Sequence, residues 1–382
     1  MTTLDDNTSH LRTGLAEDLS RVLTSDVWRS AFLAVPRHLF APRFAVYDAV
    51  HNSFDQHDVQ DDDPVRRAKA MTAAYRDDTL ITRFDDDGVP ISSSTEPSLM
   101  AAMLEQLDIA SGGRVLEIGT GTGYNAALLC VGLGDDVVTT IDVDPDLVAD
   151  ARTALAACGY TPDTRCGDGA VGVGDRAPFD RILATCGVDR VPSAWLTQLS
   201  EAGAILVNVS KGIVLLRRDG SGVSGRFLSQ AGFMPLRSPH AADPISTSPR
   251  DVLAATEITP DSVDSMPASA VAGLPFVMAS FFAALVAERS RLVSSGAEAD
   301  APDAYHWTHV ASGSWARADL DAYGVTIRQA GPRRLWTELV PILDAWHAAG
   351  RPGIDRFGLT VTAGGRHTLW LDEPANVLRD LG

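Results

Sequence analysis

Cationic side chains are scarce in this sequence: 32 lysines and arginines stand against 50 aspartates and glutamates in 382 residues. The formal net charge is −18 at pH 7, and the isoelectric point lies near 4.8. A surface of this sign repels the phosphates of nucleic acids, so the composition excludes a protein that works by non-specific nucleic-acid binding.

Long apolar runs and closely spaced cysteine pairs are also missing. The longest apolar run, Leu274–Ala287, is too short to span a bilayer and predicts a buried helix. The first residues lack the order of basic and then apolar residues that marks a secretory signal. The four cysteines form no C-x-x-C pair, which favours free, buried thiols in a reducing compartment. We therefore expect a soluble cytoplasmic protein with no membrane partner.

An alternation of strands and helices begins at Arg114. The predicted strands are RVLEIG, DVVTTID, FDRILATC and GAILVNV, and the predicted helices are GYNAALLCVGL and PDLVADARTALAACG. Alternation of this kind indicates parallel strands covered by helices on both faces, which is the doubly wound α/β class. The segment Ser224–Arg237 is expected to close the sheet.

The sequence on either side of this region has a different character. The acidic segment Asp55–Pro64 is expected to be a solvated loop, because its carboxylates lack the spacing of a calcium-binding loop. Residues 10–45 look helical, a helix is predicted over Pro332–Ala349, and a hairpin is predicted to turn at Gly364–Gly365. The predicted domains are an N-terminal helical segment on the substrate side (1–90), a cofactor-binding core (91–238), a linker (239–268) and a smaller α+β region (269–382).

The first predicted strand runs into a glycine-rich turn, LEIGTGTGYNAAL, with glycines at 119, 121 and 123. A dinucleotide fingerprint would need its third glycine where Tyr124 stands. Glu117 lies two residues before the first glycine, where its charge would repel a pyrophosphate but would suit a ligand with an ammonium and a sulfonium group. S-adenosylmethionine has both, so the turn predicts a site for that cofactor.

Two further acidic residues follow the next predicted strands. Asp142 ends the second strand, where a carboxylate can accept hydrogen bonds from both ribose hydroxyls, and Asp168 follows a third short strand, within reach of the adenine amino group. The alternative is that the glycines only form a tight turn and that the acids lie on the surface. Acids after three successive strands favour the cofactor, and the predicted site comprises Glu117, Gly119, Thr120, Gly121, Thr122, Gly123, Asp142, Val143, Asp168 and Gly169.

Several motifs together resemble the protein-L-isoaspartate O-methyltransferase family over roughly residues 15–237. They are AVPRHLFAP, TEPSLMAAMLEQL, VLEIGTGTGYNAALL, GDGAVG, APFDRILATC, VPSAWLTQL and FMPLR, in the family's order. The resemblance implies a Rossmann-like class I methyltransferase fold and places the family's hydroxyl residue at Thr95, two positions before Pro97. Ser93 and Ser94, just before it, are predicted to bind substrate. The simpler alternative is that Ser92–Thr95 is a polar loop in which Thr95 is only a helix cap.

A carboxylate acceptor would make modest chemical demands. It is ionised at neutral pH, with a reference pKa near 4, and so it needs no general base. The enzyme must position the reacting atoms and exclude water, and no metal is required. The pair His306 and His309 has helical spacing but no carboxylate or cysteine companion, so we expect it to be structural.

The chain continues for about 145 residues beyond the shared core. In this it resembles long relatives that accompany ribosomally synthesised peptides of the lanthipeptide, lasso or ATP-grasp-crosslinked kind. That resemblance implies methylation of an aspartate in a cyclised peptide, followed by loss of methanol to an aspartimide and hydrolysis to isoaspartate. Tryptophans 307, 315, 336, 346 and 370 are a candidate peptide surface. The alternatives are an isoaspartate repair enzyme, another methyl acceptor, or a non-catalytic peptide-binding protein.

Overall fold

The computed structural model describes residues 8–109, 112–238, 248–296, 302–321 and 323–382. The chain divides into two compact units. The first comprises Met1–Cys186, Thr197–Leu206 and Leu236–Pro239, and the second comprises Gly187–Leu196, Val207–Pro235 and His240–Gly382. No helix within the described ranges is long and apolar enough to cross a membrane.

The first unit begins with helices and a small antiparallel sheet, and continues as a parallel sheet with helices. Its helices are α1 (Ser9–Asp18), α2 (Asp26–Ala34), α3 (Arg37–Phe40), α4 (Pro64–Ala74), α5 (Pro97–Gln106), α6 (Tyr124–Leu133) and α7 (Pro145–Ala157). Its strands are β1 (Arg43–Asp48), β2 (Ser53–Asp58), β3 (Leu80–Phe84), β4 (Pro90–Ser94), β5 (Val115–Ile118), β6 (Val138–Asp142) and β7 (Asp163–Cys166). Strands β8 (Phe179–Val188) and β9 (Leu199–Val209) begin in this unit and end in the second.

Parallel pairing aligns the carboxyl ends of four strands, in the order β7-β6-β5-β8. Ile118 at the end of β5 lies opposite Ile141 of β6 and Ala184 of β8, and Asp142 lies opposite Cys166 of β7. Residues that follow these strands therefore meet at one edge of the sheet, which is where doubly wound folds bind ligands. This confirms the predicted fold class.

The acidic segment is not the solvated loop that we predicted. Residues 53–58 form β2, which pairs antiparallel with β1 and lies at the edge of a four-stranded sheet in the order β2-β1-β3-β4. An edge strand can expose polar side chains, which explains how β2 contains both Asp55 and Asp58. The segment ends in a helix cap, since Asp63 accepts hydrogen bonds from the backbone N–H groups of Val65 (2.8 Å) and Arg66 (3.1 Å).

The second unit is α+β. Its helices are α8 (Ser193–Gln198, whose last two residues belong to the first unit), α9 (Pro249–Ala255), α10 (Phe276–Val286) and α11 (Leu335–Ala348). Its strands are β10 (Gly212–Asp219), β11 (Gly222–Gln230), β12 (Ser262–Met266), β13 (Arg291–Ser295), β14 (Ala304–His309), β15 (Ser314–Leu320), β16 (Val325–Ala330), β17 (Phe357–Val361), β18 (His367–Leu371) and β19 (Val377–Asp380). One sheet contains the antiparallel series β10-β11-β17-β18-β19, and another has the order β12-β16-β15-β14-β13.

Two expectations about this unit are corrected. Residues 224–237 do not close the sheet, because β11 lies between β10 and β17, with Val223 opposite Val361. The five C-terminal tryptophans are not a surface, because each is at most 5% exposed. Phe282 of α10, for example, packs edge-on against Trp346 and Phe357 at centroid distances of 6.2 and 5.3 Å. Apolar burial of this kind accounts for these aromatic residues.

The predicted linker covers residues 239–268. Part of it, residues 239–247, lies outside the described residues, and the remainder contains α9 and β12. Ser248 caps α9 through a reciprocal capping box with Asp251. The four predicted domain boundaries themselves stay predictions.

Candidate functional site

The glycine turn is a tight loop between β5 and α6, held by the neighbouring strand β6. The backbone N–H groups of Gly119 and Thr120 both donate to the carbonyl of Ile141, at 2.8 and 3.2 Å, and Gly123 N–H donates to Thr120 O at 2.8 Å. Gly119, Gly121 and Gly123 have φ values of +95°, +51° and +84°. A left-handed conformation at three alternate residues explains the glycine spacing, since side chains are strained there.

Neighbouring atoms also leave little room for side chains on this turn. A Cβ added to Gly119 would lie 3.0 Å from Thr185 Oγ1, and one added to Gly123 would lie 3.1 Å from Ala151 Cβ. At Gly121 the nearest atom would be the carbonyl oxygen of Ser93, at 3.5 Å. The turn is therefore a backbone cradle whose first and last glycines pack against the protein, while its middle glycine faces strand β4.

Replacement of Gly123 by alanine is expected to destabilise the protein by about 1–3 kcal/mol, through the positive φ and the contact with Ala151. The matched control is Gly159→Ala, because Gly159 has φ +83° and no atom within 4 Å of an added Cβ. Urea unfolding of both variants would separate the conformational cost from the steric cost. Equal losses of stability would show that the Gly123 contact has no energetic consequence.

Asp142 connects the end of β6 to the glycine turn. One carboxylate oxygen accepts the Gly121 N–H at 2.9 Å and the other accepts the Asp144 N–H at 3.1 Å. The side chain is half-buried, so it remains accessible to a ligand. Two oxygens with four lone-pair sites can accept these backbone bonds and ribose hydroxyls together.

Asp168 lies in the loop after β7 and is also half-buried. Its carboxylate accepts hydrogen bonds from Ala170 N–H at 2.9 Å and Ser238 Oγ at 2.6 Å. The next residue, Gly169, packs closely, since an added Cβ would lie 2.8 Å from Ile118 Cγ2 at the end of β5. The structure therefore brings Asp168 and Gly169 to the same edge as Asp142, and the predicted contact of Asp168 with adenine stays a prediction.

Three other predicted site residues differ in their exposure. Thr120 is buried, with its hydroxyl 2.7 Å from Thr140 Oγ1, so it faces the interior beneath the turn. Thr122 is half-buried and accepts the Tyr124 N–H at 3.3 Å. Val143 is half-buried beside Asp142. Thr122 and Val143 remain candidates for direct contact with the cofactor.

Glu117 lies in the interior. It is fully buried, and its two carboxylate oxygens accept hydrogen bonds from Asn125 Nδ2 and Thr140 Oγ1, both at 2.6 Å. Burial raises the pKa of Glu117 to about 7, although the two hydrogen bonds oppose the rise and the nearby charge of Asp142 adds to it. Glu117 thus belongs to a polar network under the turn, and its predicted contact with the cofactor's ammonium group stays a prediction.

The raised pKa of Glu117 predicts a pH-dependent stability in the cofactor-free protein. Between pH 4.5, the ordinary pKa of glutamate, and about pH 7, folded Glu117 retains a proton that the unfolded chain has lost. The resulting contribution to the free energy of unfolding is fully present below pH 4.5 and is lost as the pH rises through 7. Glutamine carries no titrating proton, so the free energy of unfolding of Glu117→Gln should not show this fall. Its stability relative to the parent is expected to increase by up to about 3 kcal/mol from pH 5 to pH 8. Denaturant titrations at both pH values test this, with the exposed Glu201→Gln as control. An equal effect of Glu117→Gln at the two pH values would contradict the raised pKa.

Side chains at the end of strand β4 and just after it alternate between the interior and the half-buried side of the strand. Ser92 and Ser94 are buried, whereas Ser93 and Thr95 are half-buried. Helix α5 begins at Pro97, and Glu96 occupies the N-cap position. The Glu96 side chain makes no capping hydrogen bond to the helix. Within the described ranges Thr95 Oγ1 has no hydrogen-bond partner, so the alternative role as a helix cap is wrong. The predicted substrate contact of Ser94 stays a prediction, although its hydroxyl lies 3.4 Å from Arg37 Nε in the interior.

Arg37 was not predicted. It lies in the motif AVPRHLFAP and is fully buried, with hydrogen bonds to the backbone carbonyls of Ser94 (3.3 Å) and Thr95 (3.0 Å). Arginine is rarely buried, so composition and spacing suggest a surface residue. Its position in a motif shared with a methyltransferase family was the available signal.

His306 and His309 are on strand β14 rather than on a helix. Residues three apart in a strand point to opposite faces, and so they cannot bind one metal ion together. His306 is buried between Thr256 Oγ1 (2.7 Å) and Ser295 Oγ (3.0 Å), whereas His309 is bonded to Ser312 Oγ (2.7 Å). No group of three potential metal ligands occurs in the part of the chain that the structure describes.

The four cysteines are all free thiols, two of them buried and one exposed. Burial raises the pKa of Cys186, at the end of β8, to about 12, so it is an inert thiol. Cys166 is exposed at the end of β7, contrary to the expectation that the thiols are buried.

The parallel sheet, the glycine cradle and the carboxylates at the ends of β6 and β7 together fit S-adenosylmethionine. A backbone cradle without side chains leaves room for a close ligand. The two half-buried carboxylates are of the kind that can accept hydrogen bonds from hydroxyl and amino groups. The fold and this site define a class I S-adenosylmethionine-dependent methyltransferase.

Comparison with known proteins narrows the class. The family model for protein-L-isoaspartate(D-aspartate) O-methyltransferase matches residues 56–240. The protein-L-isoaspartate O-methyltransferase of Koribacter versatilis is 34% identical over 184 residues, which are 45% of this chain and 82% of that protein. The chain belongs to the protein-L-isoaspartate O-methyltransferase family, whose members are protein carboxyl methyltransferases.

Two other relatives bear on the regions outside the shared core. The Thermotoga maritima protein-L-isoaspartate O-methyltransferase is 34% identical over 170 residues, and the match spans 44% of this chain and about half (52%) of that protein. A solved structure of a protein-L-isoaspartate O-methyltransferase covers 95% of this chain and 100% of its own length, with a TM-score of 0.56 and 23% identity. This likeness shows the fold, and it includes the C-terminal region.

Proposed function

We propose that this chain methylates the free carboxylate of an isoaspartyl residue in a polypeptide, with S-adenosylmethionine as the methyl donor. The observation that carries the proposal is the position of strand β4 against the glycine cradle. An added Cβ on Gly121 would lie 3.5 Å from Ser93 O. Thr95 follows two residues later, with a half-buried hydroxyl that has no hydrogen-bond partner among the described residues. Family membership supports the same acceptor.

The residues have separate roles in this proposal. The backbone of Gly119–Gly123, Asp142 and Asp168 hold the cofactor, which supplies a methyl group on a sulfonium. Thr95 Oγ1 donates a hydrogen bond to the acceptor carboxylate and orients it without protonating it. The carboxylate is already ionised at neutral pH, so no residue is needed as a general base.

We expected a cyclised peptide as the substrate, largely because of the C-terminal region and its tryptophans. The tryptophans are buried, and a region of this kind also occurs in the solved protein-L-isoaspartate O-methyltransferase described above. Neither feature therefore favours a dedicated peptide substrate over an isoaspartyl polypeptide. The earlier expectation becomes one outcome of the acceptor experiment.

The acceptor experiment compares two linear peptides of one sequence, with isoaspartate or aspartate at a single position. Isoaspartate brings the free carboxylate one methylene closer to the main chain, and a misplacement of about 1 Å can cost roughly 100-fold in rate. We expect radiolabelled methyl transfer to the isoaspartyl peptide to be about 100-fold faster than transfer to the aspartyl peptide.

A cyclised aspartyl peptide is the third acceptor in the same assay. Rapid methylation of that peptide, followed by loss of methanol to a species one water lighter than the substrate, would support the dedicated-peptide function if the linear isoaspartyl peptide does not react. Equal rates on linear aspartyl and isoaspartyl peptides would overturn both proposals about the acceptor.

A further inference from the structure

Arg37 is the centre of a buried hydrogen-bond cluster that joins three segments of the first unit: α3, which contains Arg37, residues 74–78 and residues 94–95. Its guanidinium donates to the carbonyl oxygens of Ala74 (3.3 Å), Arg76 (3.0 Å), Asp78 (2.9 Å), Ser94 (3.3 Å) and Thr95 (3.0 Å). A planar fork of five N–H groups can satisfy several carbonyls in fixed directions, which a lysine cannot do. The three segments are thus held in one arrangement by one side chain.

Among the described residues, Arg37 has no carboxylate partner in an ion pair. The carboxylates of Asp77 and Asp78 are nevertheless near enough to favour the charged form of Arg37. Burial lowers the pKa of Arg37 to about 10, so the side chain remains charged at neutral pH. A buried charge that rests on carbonyl dipoles is costly for a fold, and its presence calls for a specific role.

Arg37 also contacts the residue that follows the glycine cradle. Its guanidinium carbon lies 5.8 Å from the ring centroid of Tyr124, the first residue of α6 and the neighbour of Gly123. The ring is packed further by Phe32 and Phe40, at centroid distances of 6.3 and 5.9 Å. The hydroxyl of Tyr124 is buried with no partner among the described residues, so the ring face is what connects it to Arg37.

The loop at 74–78 fixes the other side of the acceptor segment. Asp77 Oδ1 accepts the N–H of Ser98 at 2.7 Å, in the first turn of α5. Two hydrogen bonds therefore fix the chain at and just after Thr95. The carbonyl of Thr95 accepts from Arg37, and the start of α5 donates to Asp77, in the loop that Arg37 also binds.

We infer that Arg37 is a positioning residue for methyl transfer: it holds the Ser94–Thr95 segment against Tyr124 and the glycine cradle, and so sets the separation between the methyl acceptor and the methyl donor. The inference rests on the proposed function. Arg37 touches neither reactant in this account, and its effect passes through the backbone of Thr95 and the ring of Tyr124.

The test is Arg37→Lys, which keeps the positive charge and loses the planar fork. A displacement of about 1 Å is enough for a roughly 100-fold loss, so we expect kcat for the isoaspartyl peptide to fall about 100-fold. The KM for the peptide and the calorimetric Kd for S-adenosylhomocysteine should stay within about threefold, because the groups that bind both remain. Gly159→Ala is the control, since it strains the backbone away from this cluster.

A second measurement does not depend on turnover. Hydrogen exchange of residues 93–98 should become at least about tenfold faster in Arg37→Lys and stay unchanged in Gly159→Ala, since only the first variant releases the segment. If Arg37→Lys fails to fold, Tyr124→Leu removes the ring face without removing a hydrogen bond, and it should produce the same pattern to a smaller extent.

The possible results separate the two proposals. A parent enzyme that methylates no isoaspartyl peptide would refute the proposed function, whereas the exchange result would still decide the role of Arg37. Unchanged kcat and exchange in Arg37→Lys, or a kcat loss matched by Gly159→Ala, would overturn the positioning role. Loss of S-adenosylhomocysteine binding together with kcat would also overturn it, because Arg37 would then maintain the cofactor site itself.

Discussion

Replacing Asp142 by alanine is expected to weaken the binding of S-adenosylmethionine by about 100-fold or more. In the proposed cofactor site the variant loses two charge-assisted hydrogen bonds to ribose, each worth about 1.5–3 kcal/mol. A factor of ten in affinity corresponds to about 1.4 kcal/mol. The structure adds a second reason, because the same carboxylate holds the Gly121 N–H at 2.9 Å and thereby fixes the cradle. Calorimetry with S-adenosylhomocysteine measures the effect directly.

The control for Asp142→Ala is Asp150→Ala. Asp150 lies on the neighbouring helix α7, its side chain is 76% exposed, and its carboxylate pairs with Arg83 at 2.7 Å. Its removal changes the net charge equally and should leave affinity within about twofold, because exposed ion pairs contribute little. A parental affinity in Asp142→Ala would refute the assignment of Asp142 to the cofactor.

Thr95→Ala is expected to lower the rate of methyl transfer by about tenfold to a thousandfold while cofactor affinity stays unchanged. One oriented hydrogen bond to a reacting group has effects of this size. Because the side chain of Thr95 makes no capping hydrogen bond to α5, the substitution should cost little stability, and so the kinetic effect is separable from folding. Single-turnover methyl transfer to the isoaspartyl peptide tests it.

Thr95→Ser is the matched variant, since it keeps the hydroxyl and removes only a methyl group. It should retain activity within about tenfold of the parent. Parental turnover by Thr95→Ala, or an equal loss in Thr95→Ser and Thr95→Ala, would show that the hydroxyl has no part in the reaction.

Features that depend on neighbouring residues could be predicted from the sequence. Glycines at 119, 121 and 123 are there because each has a positive φ, a restriction that acts within one or two residues. Asp142 and Asp168 follow successive strands, and parallel strands place their carboxyl ends at one edge. The cofactor edge of the fold therefore follows from local conformation and strand order.

Side-chain direction within buried segments could not be predicted in the same way. Glu117 lies in a strand of four residues, Val115–Ile118, that are all buried, so no alternation of polar and apolar residues shows which way it points. The tertiary structure directs it to Asn125 and Thr140 in the interior. Its charge suggested a ligand contact, but its burial decided its place in the network beneath the turn.

Contacts between segments that are far apart in the chain also could not be predicted from the sequence. The sequence alone determined the class of fold, the cofactor turn and the family motifs, because these depend on short-range periodicity and on the backbone conformations that particular residue types adopt. Only the tertiary structure decided that β11 pairs with β17, 138 residues further along at Val223 and Val361, and that Arg37 bonds to Thr95. Such contacts join residues far apart in the chain, and their free energy comes from burial and hydrogen bonds that exist only after the segments have met.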